Sequence, residues 1–277
     1  MEFLVGIVTF NPDISQLQTN LAFFCSEKKK VIVVDNGSGN IRDIRKICEQ
    51  LNNVTLLSCS TNEGIAKALN RAFAFAKQNN YSWVLTLDQD SEVDLNLLNQ
   101  FRKCPESTTV GIYCPRIYDF VSGEYWPEVK SNSQEVVEID KCITSGALTS
   151  VRAWSEINGF DNYLFIDEVD NDFCFRLRKR KFKIVLLCNA LLKHKIGRTK
   201  VIKLLGRKIF IRNHSAMRKF YITRNRLYLD KKYYGHIKVQ TAIMTVLFII
   251  KTLVFEDQKL AKFFASNKGI IYAIKHK

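Results

Sequence analysis

The feature that most constrains this chain is the repeated alternation of short apolar runs with helical stretches in its N-terminal part. Phe3–Thr9 reads as a buried strand closed by Asn11-Pro12-Asp13, after which Ile14, Leu17, Leu21 and Phe24 fall on one helical face. Val31–Val34 is a second strand running into Asp35-Asn36-Gly37-Ser38, a helix follows over about Ile41–Leu51, and Val54–Leu57 is a third strand. A helix over Glu63–Lys77 leads to Val84–Leu87, whose nearly continuous apolar character fits a parallel strand covered on both faces, and Val110–Cys114 is a fifth strand. This pattern specifies an α/β fold with a doubly wound, mostly parallel sheet. At 277 residues the chain is long enough for one such domain with an appendage.

Ligands of open α/β sheets bind beyond the carboxyl ends of the strands, so the strand ends carry the argument about function. Val84–Leu87 stops at Asp88-Gln89-Asp90. Two carboxylates two residues apart in extended chain point to one side, and such hard oxygen ligands suit Mg²⁺ or Mn²⁺ held jointly with substrate phosphates. The competing reading makes Asp90 or Ser91 the N-cap of the next helix, and Asp170-Asn171-Asp172 is a second Asp-x-Asp match. Asp35 stands where a base or ribose is read if a nucleotide binds, or it closes an Asx-type turn that merely reverses the chain. At Asn62-Glu63-Gly64 the glycine permits close backbone approach, and the small residues Ala66 and Ala68 after it serve either a ligand or tight packing.

From Arg116 to Asp140 the pattern turns irregular, with Tyr118, Phe120, Gly123, Trp126 and Pro127 followed by the alternating Glu135–Ile139. A hairpin or loop insertion fits, and loops on rigid scaffolds often receive substrate. Thr144-Ser145-Gly146-Ala147 is a turn of small residues. Four carboxylates then crowd Asp167-Glu168-Val169-Asp170-Asn171-Asp172 ahead of the cations at 178–181. That order suits a helix dipole, yet it exceeds what a cap needs, and one of these groups is a candidate general base. His194 follows a strand at Lys183–Leu187 and is a candidate third protein ligand if Asp88 and Asp90 hold a metal.

Charge is unevenly placed. The chain carries a formal +15, but residues 193–277 hold 21 Lys and Arg against three Asp and Glu, whereas residues 1–192 are close to neutral. The cationic partner surface therefore belongs to the last third, with anionic lipid or nucleic acid as its candidates. Within it Ala242–Phe255 is apolar but short for a spanning helix, so it reads as an interfacial helix, or as part of a helical pair packed on the domain. The eight cysteines form no Cys-x-x-Cys pair and read as small core residues of a reducing compartment. The chain opens directly on a strand, without a cationic and apolar leader, so a cytoplasmic protein is expected.

The ordered set Val8-Thr9-Phe10-Asn11-Pro12, Val34-Asp35-Asn36-Gly37-Ser38, Asn62-x-Gly64, Leu87-Asp88-Gln89-Asp90, Thr144-Ser145-Gly146, Gly159-Phe160-Asp161, Phe165-Ile166-Asp167 through Arg176, His194-x-x-Gly197 and Tyr221-x-x-Arg224-Asn225 resembles the family 2 glycosyltransferases of GT-A fold, in particular the bacterial rhamnosyltransferase-like branch. The resemblance implies a catalytic domain over 1–212 and a basic helical extension over 213–277. It implies a nucleoside diphosphate sugar held by Thr9, Asn11, Asp35, Asn62, Gly64, Asp88, Ser145 and Gly146, and a divalent Mg²⁺ or Mn²⁺ on the diphosphate at Asp90 and His194. Asp170 is then the catalytic base, with Asp167 second, because many relatives have Glu-Asp where this chain has Val169-Asp170. Trp126 and Arg224 are candidates for acceptor or phosphate contacts.

The implied reaction is an inverting transfer, with L-rhamnose from dTDP-rhamnose first and galactose, glucose or galactofuranose from a UDP-sugar as alternatives. Its acceptor is a lipid-linked saccharide of bacterial surface polysaccharide synthesis. The implied location is peripheral, on the inner face of the cell membrane. Two other classes compete: a nucleic-acid-binding module, which explains the basic aromatic tail and leaves the acidic landmarks unexplained, and a nucleotidyltransferase, which shares metal-binding carboxylates.

Overall fold

The computed structural model describes residues 1–119, 123–127, 135–194, 200–204 and 207–276, and of 194, 200–204 and 207–209 the backbone alone. The chain divides into two compact units, Met1–Tyr163 with Val169–Lys195, and Leu164–Glu168 with Ile196–Lys277. The second unit thus takes in more than the extension anticipated from 213 onward, including five residues from the middle of the chain.

In the first unit β1 (Leu4–Thr9), α1 (Ile14–Ser26), β2 (Val31–Asp35), α2 (Ile41–Glu49), β3 (Val54–Ser58), α3 (Ile65–Gln78), β4 (Trp83–Asp88) and α4 (Leu95–Lys103) alternate as the sequence pattern requires. Then come β5 (Val110–Asp119), β6 (Glu124–Trp126), β7 (Val136–Glu138), β8 (Ala147–Ser150), α5 (Val151–Glu156), α6 (Val169–Lys179) and β9 (Lys183–His194). All nine strands join one sheet in the order β3-β2-β1-β4-β8-β5-β9-β7, with β6 on β5. The ladders β3-β2-β1-β4 and β5-β9 are parallel. Those that involve β8, β6 and β7 are antiparallel, because the four-residue β8 enters between β4 and β5 from the opposite direction.

Both faces of the parallel half are covered. Phe3, Val5 and Ile7 pack with Leu17, Leu21 and Phe24 of α1 and Leu97, Leu98 and Phe101 of α4. Gly6 has no such neighbour to carry, and a Cβ there would sit 3.4 Å from Ala72 of α3 on the other face. Phe24 and Phe101 are fully buried, and truncating either to Ala removes about 3–5 kcal/mol.

The second unit holds a hairpin of β10 (Lys200–Leu204) and β11 (Arg207–Ile211) and three helices, α7 (Ala216–Tyr234), α8 (Val239–Phe255) and α9 (Lys259–Lys275). Ser215 caps α7 by accepting from the Arg218 N–H at 3.3 Å, and Gly235, at φ 75, ends it in the left-handed region. Gly269 lets α9 cross α7 closely, since a Cβ there would lie 2.4 Å from the Phe220 carbonyl oxygen. A buried ion network ties the helices together: Glu256 accepts from Lys219 at 2.5 Å and from Lys262 at 3.1 Å. Lys219 also donates to Thr252 at 2.7 Å. Burial lowers the Lys219 ammonium pKa, and the bond to Glu256 works against that shift.

Polarity is inverted in the last two helices. α8 buries Thr245, Ile249 and Thr252 and exposes Val239, Ile243, Met244, Leu247 and Ile250, while α9 buries Lys262, Ser266 and Gly269 and exposes Leu260, Phe264 and Ile271. Among the described residues no helix is long and apolar enough to cross a membrane.

Candidate active site

The parallel ladders bring Thr9, Asp35 and Asp88 to one line at the carboxyl ends of β1, β2 and β4, with Thr9 paired to Asp35 and Val8 to Asp88. Their uses differ. The Asp35 carboxylate is fully buried and accepts from the Thr9 hydroxyl at 3.1 Å, from the Ser38 hydroxyl, and from the backbone N–H groups of Gly37 and Ser38 at 3.2 and 3.0 Å. Gly37 sits at φ 81 with the 61–62 backbone where a Cβ would be, so only glycine closes this turn. Asn11 joins in, its N–H donating to Ser38 at 2.7 Å and its side-chain oxygen accepting from Gly39 at 2.8 Å. Asn36 donates to the Asn62 oxygen at 3.0 Å and accepts from the Glu63 N–H at 3.0 Å, and Asn62 accepts from Gly64 at 3.0 Å. Three strand-end loops are thereby knotted into one rigid floor, in which Asp35 is the tie.

The Asp88-Gln89-Asp90 turn is built differently. The Asp88 N–H donates to the Ser145 hydroxyl at 3.2 Å, Ser145 and Ser91 hydroxyls lie 2.6 Å apart, and Asn20 donates to the Ser91 carbonyl at 3.0 Å. Gln89 accepts from the Phe10 N–H at 2.8 Å. Helix α4 takes its cap from Asp94, which accepts from the Leu97 N–H at 2.8 Å, so neither Asp90 nor Ser91 is the cap. The turn is held from behind, and Asp90 is exposed. Gly146, at φ 79, packs so close to Leu192 and Pro115 that it leaves no room for a side chain. Ser145 thus supports the turn directly. Sequence reasoning missed Asn20 and Gln89 as supports, and only Ser91 carried a signal, as a cap residue in the wrong role.

Asp170 is the second residue of α6, where the helix dipole favours a carboxylate, and its Oδ1 accepts from the Asn171 N–H at 2.9 Å. It borders a cavity of about 10 Å³ lined also by Thr86, Thr144, Cys142 and Cys174. Thiol-to-thiol hydrogen bonding, with burial and the Asp170 charge behind it, holds Cys142 and Cys174 well above the usual thiol range. Asp172 is fully buried and paired with Arg176 at 2.7 Å, which removes it from contention as a base. Gly159-Phe160 folds around Asn70, which accepts from the Phe160 N–H at 2.8 Å and donates to its carbonyl at 2.9 Å. Phe160 in turn stacks on Phe173 of α6 at 4.0 Å. Trp126 lies exposed on β6 beside Tyr125. His194 ends β9 opposite Asp119 of β5, and its side chain, like Gly197, lies outside the described residues.

Two candidates belong to the second unit. Asp167 receives a two-pronged ion pair from Arg218, with contacts of 3.0 Å to each oxygen. Arg224 is 7% exposed, donates to Asn225 at 2.8 Å and stacks over Tyr221 within that unit.

Residues 5–185, which take in every strand-end acid described above, match the family model for glycosyl transferase family 2. The dTDP-rhamnosyl transferase RfbF of Shigella flexneri is 27% identical over 272 residues, covering 91% of this chain and 88% of its own. Of solved structures, GalNAc-T7 with UDP, GalNAc and Mn²⁺ superposes on all of this chain with a TM-score of 0.61 at 12% identity, the chain spanning 56% of its length. S. aureus TarS 1-349 superposes with a TM-score of 0.56 at 14% identity over 99% of this chain and 81% of its own. Those two likenesses speak for the fold, which is GT-A, and the family match covers well over half of the chain. The chain belongs to glycosyl transferase family 2.

Proposed function

We propose that the protein is an inverting, metal-dependent transferase that moves a sugar from a nucleoside diphosphate to a saccharide hydroxyl on a lipid-linked glycan. The first candidate donor is dTDP-rhamnose, supported by the name of the Shigella relative, with UDP-galactose, UDP-glucose and UDP-galactofuranose behind it. The observation that carries the reading is the Asp88–Asp90 turn: it is fixed from behind by Ser145, Asn20 and Gln89 while α4 draws its cap from Asp94.

The donor set suits a hard cation. Among the described residues no three His, Cys, Asp or Glu side chains gather for a metal, and two strand-end carboxylates are what Mg²⁺ or Mn²⁺ takes when diphosphate and water fill its remaining positions. Asp90, with Asp88 beside it, would hold the ion, and His194 stays a proposed ligand. When bound, the metal supplies Lewis-acid stabilisation of the departing diphosphate. GalNAc-T7, of the same fold, was crystallised with Mn²⁺.

The floor knotted by Thr9, Asn11, Asp35, Asn62 and Gly64 shapes the seat of the nucleoside. Asp170 takes the proton from the acceptor hydroxyl as that oxygen attacks the anomeric carbon. Asp167, engaged by Arg218, is the poorer base. A single base and in-line attack invert the anomeric centre without a covalent intermediate. Trp126 and Tyr125 offer exposed aromatic faces to the acceptor sugar. The exposed apolar side chains of α8 and α9, in a chain segment of formal +18, support peripheral attachment to the anionic inner face of the cell membrane, where a lipid-linked acceptor is met.

A donor panel with a lipid-linked acceptor, scored for nucleoside diphosphate release, tests the reading. Asp170→Asn should lower turnover by about a hundredfold or more with donor binding kept, and excess chelator should stop turnover. Pyrophosphate release instead would identify a nucleotidyltransferase, and full activity in chelator would remove the metal.

A further inference from the structure

We propose that α7 is a positioning device for the catalytic base, acting through the 165–168 turn that leads into α6. The proposal rests on the assignment of Asp170 as base. Arg218, Tyr221 and Asn225 are spaced i, i+3 and i+7, so they share one face of α7, with Arg226 at its side. Each of them engages the same short segment of the second unit. Tyr221 stacks on Phe165 at 4.8 Å with an interplanar angle of 11°. Asn225 donates both amide hydrogens to backbone carbonyls, to Ile166 at 2.8 Å and to Asp167 at 2.9 Å. Arg218 grips the Asp167 carboxylate on both oxygens, and Arg226 lies 3.6 Å from Glu168.

The segment needs such restraint. Asp167 and Glu168 both have φ 65, a left-handed conformation that acidic residues seldom adopt in succession. Such strain persists only where surrounding contacts over-determine it, and it gathers at functional sites. Asn225 is fully buried, and its side-chain oxygen accepts from Arg224 at 2.8 Å, which fixes the amide so that its two donors face the two carbonyls. A carboxylate there has no hydrogens to give. This accounts for Tyr221-x-x-Arg224-Asn225, a sequence landmark that the transfer reaction itself leaves without a role.

Nothing flexible separates the turn from the base. Glu168 is followed directly by Val169, the first residue of α6, and Asp170 is the second. The strained angles at 167 and 168 are those of the two residues that lead directly into α6. Arg218, Asn225 and Arg226 touch no reacting atom in this account and are positioning residues.

The test compares full-length Asn225→Ala and Arg218→Lys with the parent protein in the transfer assay. Turnover should fall about tenfold to a hundredfold, as misplacement of a reacting group by roughly 1 Å does, while the donor KM stays within roughly twofold, the pattern of a lost transition-state interaction. Amide hydrogen exchange should quicken at 166–168 in Asn225→Ala and remain slow in Asp170→Asn. Guanidinium ion added to Arg218→Ala should restore part of the turnover. Arg218 is partly exposed, so its lysine variant keeps the test open should Asn225→Ala fail to fold. Unchanged turnover in a folded Asn225→Ala or in Arg218→Lys overturns the proposal, as does a parallel fall in donor affinity. Asp170→Asn separates the two ideas: if it stays active, the base assignment falls and takes this proposal with it, and if it is inactive while Arg218→Lys is fully active, the clamp alone falls.

Discussion

In the first unit Phe3, Val5, Ile7 and Leu85 are buried and the acids at 88 and 90 come to the strand ends, as a domain surrounded by water requires. In α8 and α9 the arrangement is reversed, with Thr245, Thr252, Lys262 and Ser266 inside and Ile243, Leu247, Leu260 and Phe264 outside. The apolar effect that stabilises the first unit acts against this one in water, at roughly 25 cal/mol for each Å² left exposed. The helices of the second unit are joined by a polar seam, and their outer face is apolar.

The largest effect expected from that contrast lies in the seam. Glu256→Gln would leave the ammonium groups of Lys219 and Lys262, 0% and 3% exposed, without their counter-charge. Breaking a buried pair in this way costs about 3–5 kcal/mol, and thermal melting followed by circular dichroism should show an early transition for the second unit. A buried carboxylate of the first unit, Asp172, pairs with Arg176 one turn along its own helix, so Asp172→Asn should disturb one helix where Glu256→Gln disturbs three. Equal melting losses would erase the distinction.

A smaller effect on folding, with a large one on location, is expected from the outer face. Leu247→Asp together with Phe264→Asp alters side chains that are 52% and 66% exposed, so the fold in water should be kept or slightly favoured. Sedimentation with anionic liposomes should drop several-fold, and turnover of a lipid-linked acceptor should drop with it while a water-soluble acceptor analogue is still used. Undiminished sedimentation at about 0.1 M salt, where charges are screened beyond roughly 10 Å, would mean that the apolar face is not what meets the membrane.

Legibility followed the kind of interaction. The runs Phe3–Thr9 and Val84–Leu87 announced buried strands because burial on both faces leaves a continuous apolar signature. β8 did not announce itself, since Ala147-Leu148-Thr149-Ser150 begins among the small residues of a turn and its antiparallel partners lie 61 to 67 residues away in the chain on one side and 35 to 37 on the other. Asp35 and Asp90 look alike in sequence, each an acid at a strand end. Three-dimensional bookkeeping of hydrogen bonds separates them: Ser38, Gly37 and Thr9 consume the first, and Asp94 relieves the second of capping duty. The inverted polarity of α8 was hidden for a similar reason. A helix of mean apolar character shows that it buries something somewhere, but which face meets protein is decided by partners such as Lys219 and Arg226, far off in the chain.

The smallest effect separates the two units by pH. His214 stands beside α7 among Arg218, Lys219, Arg212 and Lys262, and burial first, then those cations, push its pKa down to about 3 from 6.5. The unfolded chain takes up a proton near pH 6.5 and the folded protein does not until about pH 3, so between those values acidification favours unfolding. The contribution of His214 to stability is complete above pH 6.5 and declines steadily below it. His214→Gln cannot take up that proton. Between pH 7 and pH 5 the melting temperature of the parent protein should therefore fall further than that of the variant, by about 3 °C for each kcal/mol involved. If the units melt separately, only the transition that Glu256→Gln also moves should respond. Identical pH dependence in parent and variant would show that His214 is solvated and that the acid sensitivity of the second unit lies elsewhere.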